Sequence, residues 1–391
     1  MSKWARVRLG DCCRSISDGD HLPPPKTDSG IPFVTISDIH NNRFDLSNTR
    51  FVPEAYYEAI DQKRKIQKGD VLYSVVGSYG IPVFANENLK VAFQRHIAIL
   101  RPSGEIEPRF LYYSMLNRDF FLKADAVAVG AAQKTITLAA LRGLEIALPP
   151  LPIQRRIAAI LSDYDSAIDN ARRQIALLEE AAMRLYREWF VVHADPKWEK
   201  RRIVDVCVKI GAGGTPNRRQ EKYWLNGTIA WIKTKELQDC WLFDSEEKIT
   251  PAGLDGSSAK IYPENTVVMA IYASPTLGRL GIFDKPMCCN QAALCLVADE
   301  SQVSWEWLYC QLFELRDEFN RIARGAGQQN ISGEVVKETV VRIPDAHAMS
   351  EFTNAARPLF SQCRILGRQI GNLTEARDRL LPKLMSGEIE V

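Results

Sequence analysis

The sequence predicts a mixed α/β (α+β) protein in which two globular domains are separated by two long antiparallel coiled-coil helices. Two observations predict this fold class. Segments of the first half return in the second half at a spacing of about 195 residues, which indicates a pseudo-twofold internal repeat. A heptad pattern of apolar residues then follows each copy, as in a coiled coil.

The repeat is visible at both ends of each globular region. Gly130–Thr137 resembles Gly325–Ser332 at a shift of 195 residues, and Ile31–Ile39 resembles Ile229–Leu237 at a shift of 198. The difference between the two shifts indicates that the intervening loops differ slightly in length. We therefore expect one architecture built twice, in the order globule, long helix, globule, long helix.

Residues 1–150 are predicted to form the first globule. Short β-rich runs alternate with clusters of Gly, Pro, Asn and Asp, which is typical of strands joined by turns, and a short helix is expected near Arg109–Leu122. The predicted strands are Ile31–Ile39, Asp70–Val76 and His96–Leu100. The proline-rich segment Leu148–Pro152 is expected to end the globule, because proline blocks the continuation of a helix upstream.

Residues 151–192 are predicted to form the first spacer helix. From Ile157 onward, apolar residues are separated by alternating steps of four and three residues, which is the a/d seam of a coiled coil. Such a helix would be about 55 Å long, which is too long for the interior of a small domain. The expected seam residues are Ile157, Leu161, Tyr164, Ile168, Ile175, Leu178, Leu185 and Trp189, with Ala171 and Ala182 between them.

Residues 193–343 and 344–391 are predicted to form the second globule and the second spacer helix. A helix packed only on its own domain is the alternative, but two stripes in register at the repeat shift favour packing of the two helices against each other. Pro358 is expected to kink the second helix, and Arg377 interrupts its apolar stripe. The globule's predicted elements are strands Thr228–Ile232, Thr266–Ile271 and Ala292–Val297 and a helix near Trp305–Arg321. The expected seam residues are Phe352, Leu359, Leu366, Ile370, Leu373, Leu380 and Leu384.

The amino-acid composition indicates which broad class of protein this chain belongs to. The 391 residues include 50 Lys and Arg against 48 Asp and Glu, a net charge of +2, and 46% are hydrophobic, as in an ordinary globular protein. No apolar run approaches the ~18 residues that span a bilayer, and residues 1–6 lack the apolar stretch of a signal peptide. The nine cysteines form no Cys-x-x-Cys pair. These features predict a cytoplasmic protein with free thiols.

The sequence lacks the signatures of common catalytic chemistry. It contains no G-x-x-x-x-G-K-[ST] phosphate loop, no Rossmann glycine pattern and no proline–proline–aromatic motif of amino-methyltransferases. Its five histidines are scattered, so neither a metal site nor a catalytic residue is predicted. Glu246-Glu247-Lys248 resembles the end of a nuclease carboxylate–lysine motif, but a charged, solvated turn is the preferred interpretation.

Polar, basic and glycine-rich loops occupy equivalent places in both globules. Arg, Lys, Asn and Gln suit base edges in the major groove, and Ser and Thr suit phosphates, although for any single residue a solvated loop is the alternative. Arg64 and Lys65 are weighed as phosphate anchors or plain surface. The candidate DNA-binding residues are Ser78, Tyr79, Gln94, Arg95, His96, Lys134, Thr135, Arg218, Arg219, Lys233, Thr234, Lys235, Ser274, Thr276, Arg279, Asn290, Gln291, Gln328, Gln329 and Asn330. The loops differ between the halves while the frame matches, which predicts two different reading surfaces.

Several motifs in a fixed order carry a resemblance to a known family. They are Lys68–Ser74 with Gly77 and Gly80, Leu148–Leu161, Leu185–Phe190, Gly213–Pro216 with Tyr223-Trp224, Ile229–Ile232 and Arg379–Ile389. In this order, and combined with the repeat, they resemble the specificity (S) subunits of type I restriction-modification systems. Pro344–Met349 departs from the family pattern, so the second helix is expected to start less regularly.

The resemblance implies a non-catalytic subunit whose two target recognition domains each read half of a split, asymmetric DNA site. It implies that the helices, the family's central and C-terminal conserved regions, set the unread gap between the half-sites. It also implies two modification subunits, which bind S-adenosylmethionine and methylate adenine, and restriction subunits, which hydrolyse ATP with Mg²⁺ and cleave DNA. No cofactor is expected on this chain.

Two alternatives from other classes are a free-standing DNA-processing enzyme, such as a nuclease with a diverged site, and an adaptor that binds only protein. The near-zero net charge does not exclude DNA, because groove binding depends on where charge lies and not on its total. Between Leu151 and Val192, six arginines balance six acids. The total of +2 is therefore interpreted as an average over neutral docking helices and locally basic reading faces, with much of the electrostatic attraction supplied by partner subunits.

Overall fold

The structure is a computed structural model that describes residues 4–21, 24–131, 133–272, 276–324 and 330–391. The chain forms two compact units. Unit 1 comprises Met1–Ala167 and Leu373–Val391, and unit 2 comprises Ile168–Asn372. The predicted boundaries at 150, 192 and 343 divide globule from helix along the chain, whereas each compact unit combines one globule with part of both long helices.

Unit 1 contains the short strands and helices of the first globule. Its strands are β1 (Arg6–Arg8), β2 (Cys13–Asp18), β3 (Ile31–Val34), β4 (Ile39–His40), β5 (Arg43–Phe44), β6 (Arg50–Val52), β7 (Val71–Ser74), β8 (Pro82–Phe84), β9 (Ala92–Phe93), β10 (Ile97–Pro102) and β11 (Glu145–Ala147). Its short helices are α1 (Leu9–Cys12), α2 (Glu54–Ala59), α3 (Pro108–Leu116), α4 (Arg118–Ala126) and α5 (Leu138–Gly143). The helix expected near Arg109–Leu122 is two helices, because Asn117 ends α3 and its side chain caps α4 by accepting the Asp119 N–H.

The core of unit 1 lies on both faces of its main sheet, in which the strands are ordered β2-β10-β7-β8. Every residue of β7 is buried. Val71 and Tyr73 pack into one hydrophobic cluster and Leu72 packs into another, as the alternation of side chains along a strand requires. A smaller sheet, β6-β3-β9, and the pair β1-β11 complete the unit, together with the hairpin β4-β5.

The first long helix, α6, runs from Leu151 to Arg187 and is followed by a π-helical turn, Glu188–Val192. All ten residues of its apolar stripe are buried or half-buried. Leu177, which lies outside the stripe, is 66% exposed. The heptad pattern therefore marks the face of α6 that packs inward.

Unit 2 repeats this arrangement. Its strands are β12 (Glu199–Arg202), β13 (Cys207–Ala212), β14 (Ile229–Ile232), β15 (Cys240–Leu242), β16 (Glu247–Ile249), β17 (Val267–Ala270), β18 (Leu280–Phe283), β19 (Cys288–Cys289), β20 (Ala293–Ala298) and β21 (Val340–Ile343). Its short helices are α7 (Pro251–Asp255), α8 (Trp305–Glu314), α9 (Arg316–Arg324) and α10 (Gly333–Glu338). The orders β13-β20-β17-β18, β16-β14-β19 and β12-β21 match those of unit 1, with β15 added beside β18. This match confirms the internal repeat.

The second long helix, α11, runs from Ala346 to Ser386 and continues through Pro358 without a break. Its start is capped, since the Asp345 carboxylate accepts the backbone N–H of Ala348 at 2.9 Å. The seven predicted seam residues of this helix and Arg377 are all buried or half-buried. The predicted stripe is therefore also an inward-facing surface in α11.

The two long helices pair in opposite directions within each unit. In unit 1, Ile157 and Leu161 near the start of α6 share a cluster with Leu384 near the end of α11. In unit 2, Tyr186 near the end of α6 packs edge-on against Phe352 near the start of α11, with ring centroids 6.1 Å apart. This antiparallel pairing agrees with the predicted fold class.

Candidate nucleic-acid interface

Backbone hydrogen bonds in unit 1 bring the predicted loop segments to one edge of the globule. Val75 donates its N–H to the carbonyl of His96 at 2.8 Å, and Ile136 donates to the carbonyl of Val75 at 2.8 Å. Gln94 donates to the carbonyl of Val34 at 3.0 Å. We call the segments joined in this way, residues 18–21, 34–35, 75–80, 94–96 and 133–136, edge 1.

The same ladder recurs in unit 2. Ile271 donates to the carbonyl of Ala292 at 2.9 Å, and Ile331 donates to the carbonyl of Ile271 at 3.0 Å. Asn290 donates to the carbonyl of Ile232 at 2.9 Å. We call residues 213–219, 232–235, 276–279, 290–292 and 330–331 edge 2. The repeat seen in the sequence is therefore a repeat of the backbone frame that supports these loops.

Two equivalent glycines allow the close approach that this frame needs. A Cβ atom on Gly19 would lie 2.2 Å from the carbonyl oxygen of Phe93, and one on Gly213 would lie 2.1 Å from that of Cys289. Neither oxygen can withdraw without moving the strand that carries it. Glycine is thus required at both positions for steric reasons.

Lys134 of edge 1 lies in a network of polar side chains. Its Nζ lies 2.7 Å from a carboxylate oxygen of Asp125, which also accepts a hydrogen bond from the Tyr79 hydroxyl. That hydrogen bond raises the pKa of Tyr79, and the hydrogen bond with Asp125 raises the pKa of Lys134. Tyr79 stacks on Phe121 with ring centroids 6.0 Å apart. Two predicted residues are therefore joined by a carboxylate on α4 that sequence reasoning missed.

The remaining candidates of edge 1 differ in accessibility. Ser78 and Arg95 are exposed, whereas Gln94, His96 and Thr135 are half-buried. Burial lowers the pKa of His96, so its imidazole is neutral near pH 7. These five residues lie on the same edge, and among the described residues the exposed Arg95 guanidinium forms no hydrogen bond or ion pair.

Two further cations near edge 1 are engaged inside the unit. Arg64 lies 3.7 Å from an oxygen of Asp20 and 4.0 Å from one of Asp18. Lys65 is only 7% exposed, and its Nζ donates to the carbonyl of Glu58 at 3.1 Å. Neither interpretation of Lys65, as a phosphate anchor or as plain surface, was correct, because its ammonium is held in a buried position.

Carboxylates neutralise the lysines of edge 2. Lys233 lies 2.7 Å from an oxygen of Glu247 and 3.0 Å from one of Glu246, and Lys235 lies 2.6 Å from Glu246. These ion pairs lower the pKa of both glutamates. Glu247 opens strand β16 instead of lying in a turn. The expected charged, solvated turn is therefore wrong for Glu247 and Lys248, which lie in a strand, whereas Glu246 lies in a bend and is exposed.

Arg218 of edge 2 is fixed by aromatic rings as well as by charge. Its guanidinium carbon lies 3.8 Å from the ring centroid of Trp224 and 4.9 Å from that of Trp231, and Nη1 donates to Glu247. Arg219 is exposed. Within the described part of the chain, none of its side-chain atoms forms a hydrogen bond or ion pair. The two adjacent arginines are thus in different environments.

The amide candidates of edge 2 lie beside these cations. Asn290 is half-buried, and its side-chain oxygen accepts the N–H of Ala292 at 3.2 Å. Gln291 is exposed and accepts a hydrogen bond from the hydroxyl of Thr215, a residue not predicted as a candidate. Thr234 is half-buried on the 3-10 turn Thr234–Glu236. The motifs Gly213–Pro216 and Tyr223-Trp224 contain the missed residues Thr215 and Trp224. In the sequence these motifs indicated the family resemblance and not a position at edge 2.

The other candidates fall at the far end of edge 2. Thr276, Arg279 and Asn330 are half-buried. Arg279 donates its backbone N–H to the carbonyl of Thr276 at 2.9 Å, which closes the turn. Three predicted residues, Ser274, Gln328 and Gln329, lie outside the described residues.

The described residues lack the features of several other kinds of site. Across the described ranges, no group of three or more His, Cys, Asp or Glu side chains is arranged to hold a metal ion. Among the same residues, none of the helices combines the length and apolar character that a bilayer span requires. The nine cysteines are free thiols.

Comparison with known proteins identifies related chains over nearly the whole length. The family model for the type I restriction modification DNA specificity domain matches residues 1–180 and 196–354. The MjaIX specificity subunit of a type I restriction enzyme from Methanocaldococcus jannaschii is 24% identical, with 92% of this chain and 87% of that protein covered. The HindI specificity subunit from Haemophilus influenzae is 22% identical, with both chains fully covered.

The fold is also similar to a solved one. The crystal structure of a type I restriction-modification system S subunit from M. genitalium matches with a TM-score of 0.59 and 17% identity, covering 98% of this chain and 96% of that one. At this level of identity the likeness concerns the fold, and it agrees with the repeated α/β units and long helices described above.

Proposed function

Because this chain belongs to the family of type I restriction-modification DNA specificity proteins, we propose that edge 1 and edge 2 read the two halves of one split, asymmetric DNA site. Family membership makes the chain the DNA-recognition subunit of such a system and does not favour a free-standing nuclease.

One observation carries this proposal: the same backbone ladder occurs twice with different polar side chains on it. His96 and Ala292 accept equivalent hydrogen bonds, yet the residues beside them are Arg95 in unit 1 and Gln291 in unit 2. Arginine and glutamine prefer different base edges, guanine and adenine respectively. A shared frame with different side chains supports two readers with different half-sites.

The long helices support a second part of the proposal, which concerns spacing and assembly. Each helix belongs to the core of unit 1 at one end and to the core of unit 2 at the other. We propose that the helix pair sets the unread gap and docks two modification subunits, through which restriction subunits join. S-adenosylmethionine, ATP and Mg²⁺ are expected on those partners in the cytoplasm, and no cofactor is proposed on this chain.

Methylation mapping tests the proposal. The chain is co-expressed with the modification subunit of its own system in a host that lacks both, and N6-methyladenine is mapped genome-wide. We expect a split motif that is methylated only when both proteins are present. A continuous motif, or methylation or cleavage of DNA by the purified chain alone, would contradict the proposal.

A further inference from the structure

The Arg218 side chain is held more firmly than an ordinary half-exposed arginine. Its guanidinium carbon lies 3.8 Å from the ring centroid of Trp224 and 4.9 Å from that of Trp231, and Nη1 donates to the carboxylate of Glu247. Half of the side chain nevertheless remains exposed, 50% against 34% for Glu247. The group is therefore oriented by the protein while part of it stays available to a ligand.

The groups that orient Arg218 are themselves fixed. Trp231 is 2% exposed, and its indole N–H donates to the carbonyl of Gly214 at 2.8 Å. Glu247 pairs with Trp231 in the β14–β16 ladder and also accepts from Lys233 at 2.7 Å. Strand β14, the Trp231 ring and the Glu247 carboxylate thus hold one another in place. The plane of the Arg218 guanidinium is therefore fixed before any ligand binds.

The free edge of Arg218 has donors for a flat ligand with two acceptors. Only Nη1 has a hydrogen-bond partner among the described residues, so the N–H groups of Nε and Nη2 remain available. Two parallel N–H groups match guanine, which presents O6 and N7 side by side in the major groove. Phosphate binding does not require such fixation, and the neighbouring Arg219 offers an exposed cation without it.

The contact between Arg218 and Glu247 is not part of the backbone frame that the two repeats share. In unit 1 the residue paired with Phe33 in the corresponding ladder is Arg50, whereas in unit 2 the residue paired with Trp231 is Glu247. The frame is thus the same, but the charge at this position is reversed. A structural requirement of the fold would be met in both units, while a device for reading one half-site needs to occur in only one.

We propose that Arg218 reads a guanine in the half-site contacted by edge 2, and that Glu247 is a positioning residue that fixes its guanidinium. This inference rests on the proposed DNA-reading role of edge 2. In this proposal the two adjacent arginines have different roles, since Arg218 contacts a base and Arg219 contacts a phosphate. Trp224 and Trp231 support the Arg218 guanidinium.

The experiment uses the complete complex with the modification subunit and maps the methylated motif for Arg218→Gln and Arg218→Lys. The native motif is expected to require a G·C pair at one fixed position of one half-site. Arg218→Gln is expected to reduce discrimination at that position by about 10- to 100-fold, because glutamine suits adenine and lacks the two parallel donors. Arg218→Lys should reduce it less, because an ammonium can still donate to guanine but is not held in a fixed plane. The other letters and the gap should be unchanged.

Two further variants assign the roles. Glu247→Gln keeps the shape but removes the charge that orients Arg218, so it should relax the same position less strongly. Arg219→Gln should weaken binding at all sequences and reduce its salt dependence by about one counterion without changing a letter. Arg321→Gln on α9, an exposed arginine outside edge 2 and outside the long helices, is the matched control for loss of one positive charge.

The other possible results of these experiments either support or overturn the role of Arg218. An unchanged motif in both Arg218 variants, or relaxation at a position that is not a G·C pair, overturns the inference. Arg218→Gln could lower the melting temperature and abolish methylation. In that case Arg218→Lys, which keeps the charge and the stem, tests the inference, and unchanged discrimination at that position overturns it. If the native complex methylates no motif that depends on this chain, the proposed function itself fails, which is a separate result.

Discussion

The guanidinium of Arg377 makes a polar contact between the two long helices in unit 1. Nη1 donates to a carboxylate oxygen of Asp165 on α6 at 2.6 Å, and the other oxygen of Asp165 accepts the Tyr113 hydroxyl at 2.6 Å. Arg377 and Asp165 are each 19% exposed. The interruption of the apolar stripe is thus a paired group that specifies which residues of the two helices meet.

Replacing Arg377 should destabilise the protein. We expect Arg377→Met to lower the free energy of unfolding by about 1–3 kcal/mol, because it leaves the half-buried carboxylate of Asp165 without its cation. The double variant Asp165→Asn/Arg377→Met should recover part of this loss, since no charge is then left unpaired. Urea denaturation monitored by circular dichroism measures both.

A matched arginine on the same helix provides the control for that prediction. Arg379 is 78% exposed and pairs with Glu375 one turn away. Arg379→Met should have little or no effect, because exposed ion pairs add little to stability. Equal losses in the Arg377 and Arg379 variants would show that the contact with Asp165 has no special role.

At the scale of the element, the long helices show how a heptad pattern relates to packing. The stripe marks the inward face correctly along both helices, but the partners change along it. Near its start α6 packs into the core of unit 1 through Ile157 and Leu161, and near its end into the core of unit 2 through Ala182 and Tyr186. The helices are therefore structural members of both globules as well as candidate spacers.

Lengthening both helices tests the spacer role. We propose to insert a copy of Asp169–Ile175 after Ile175 and a copy of Arg364–Ile370 after Ile370, which preserves the a/d phase. Each insertion adds about 10 Å of helix, so the gap in the methylated motif should lengthen by about two to three base pairs. The half-site letters should not change, and new letters with an unchanged gap would refute the spacer role.

At the scale of the whole molecule, the compact units indicate how domains can be exchanged. The core of unit 1 includes Ile157 and Leu161 from α6 and Leu381 and Leu384 from α11. An exchange of residues 1–150 alone therefore joins a foreign globule to native helix ends, across a packed core. A chimaera that also exchanges residues 151–161 and 380–391 keeps that core intact.

We expect the second chimaera to change the letters of one half-site and to retain those of the other. It should also be more stable than the exchange of residues 1–150, since foreign side chains facing a native core leave cavities or clashes. Methylome mapping and thermal denaturation of both chimaeras measure these two outcomes. Alteration of both half-sites would contradict the model of two independent readers.

The near balance of charges in the chain, a net charge of +2, is also seen in the ion pairs within each unit. Lys134 lies against Asp125, and Lys233 and Lys235 lie against Glu246. Cations that sequence reasoning placed on the reading surfaces are thus largely compensated by acids of the same unit. This pattern agrees with the expectation that partner subunits supply much of the attraction to phosphate, which stays a prediction.

The sequence by itself determined the repeated α/β architecture, the two heptad faces and most of the loop segments that gather at edge 1 and edge 2. These features follow from local periodicity and from the similarity of the two halves, which a single chain displays directly. The helices expected near Arg109–Leu122 and Trp305–Arg321 were exceptions, because the first breaks at Asn117 into α3 and α4 and the second breaks at Leu315 into α8 and α9.

Only the tertiary structure decided which side chains meet. Asp165 and Arg377 are separated by 212 residues, and Arg218 and Glu247 by 29. No spacing rule predicts such pairs, because they depend on how strands and helices pack and not on the sequence between them. Folding therefore decided that Lys65 is buried, that Glu247 lies in a strand, and that Arg218 is fixed while Arg219 is open.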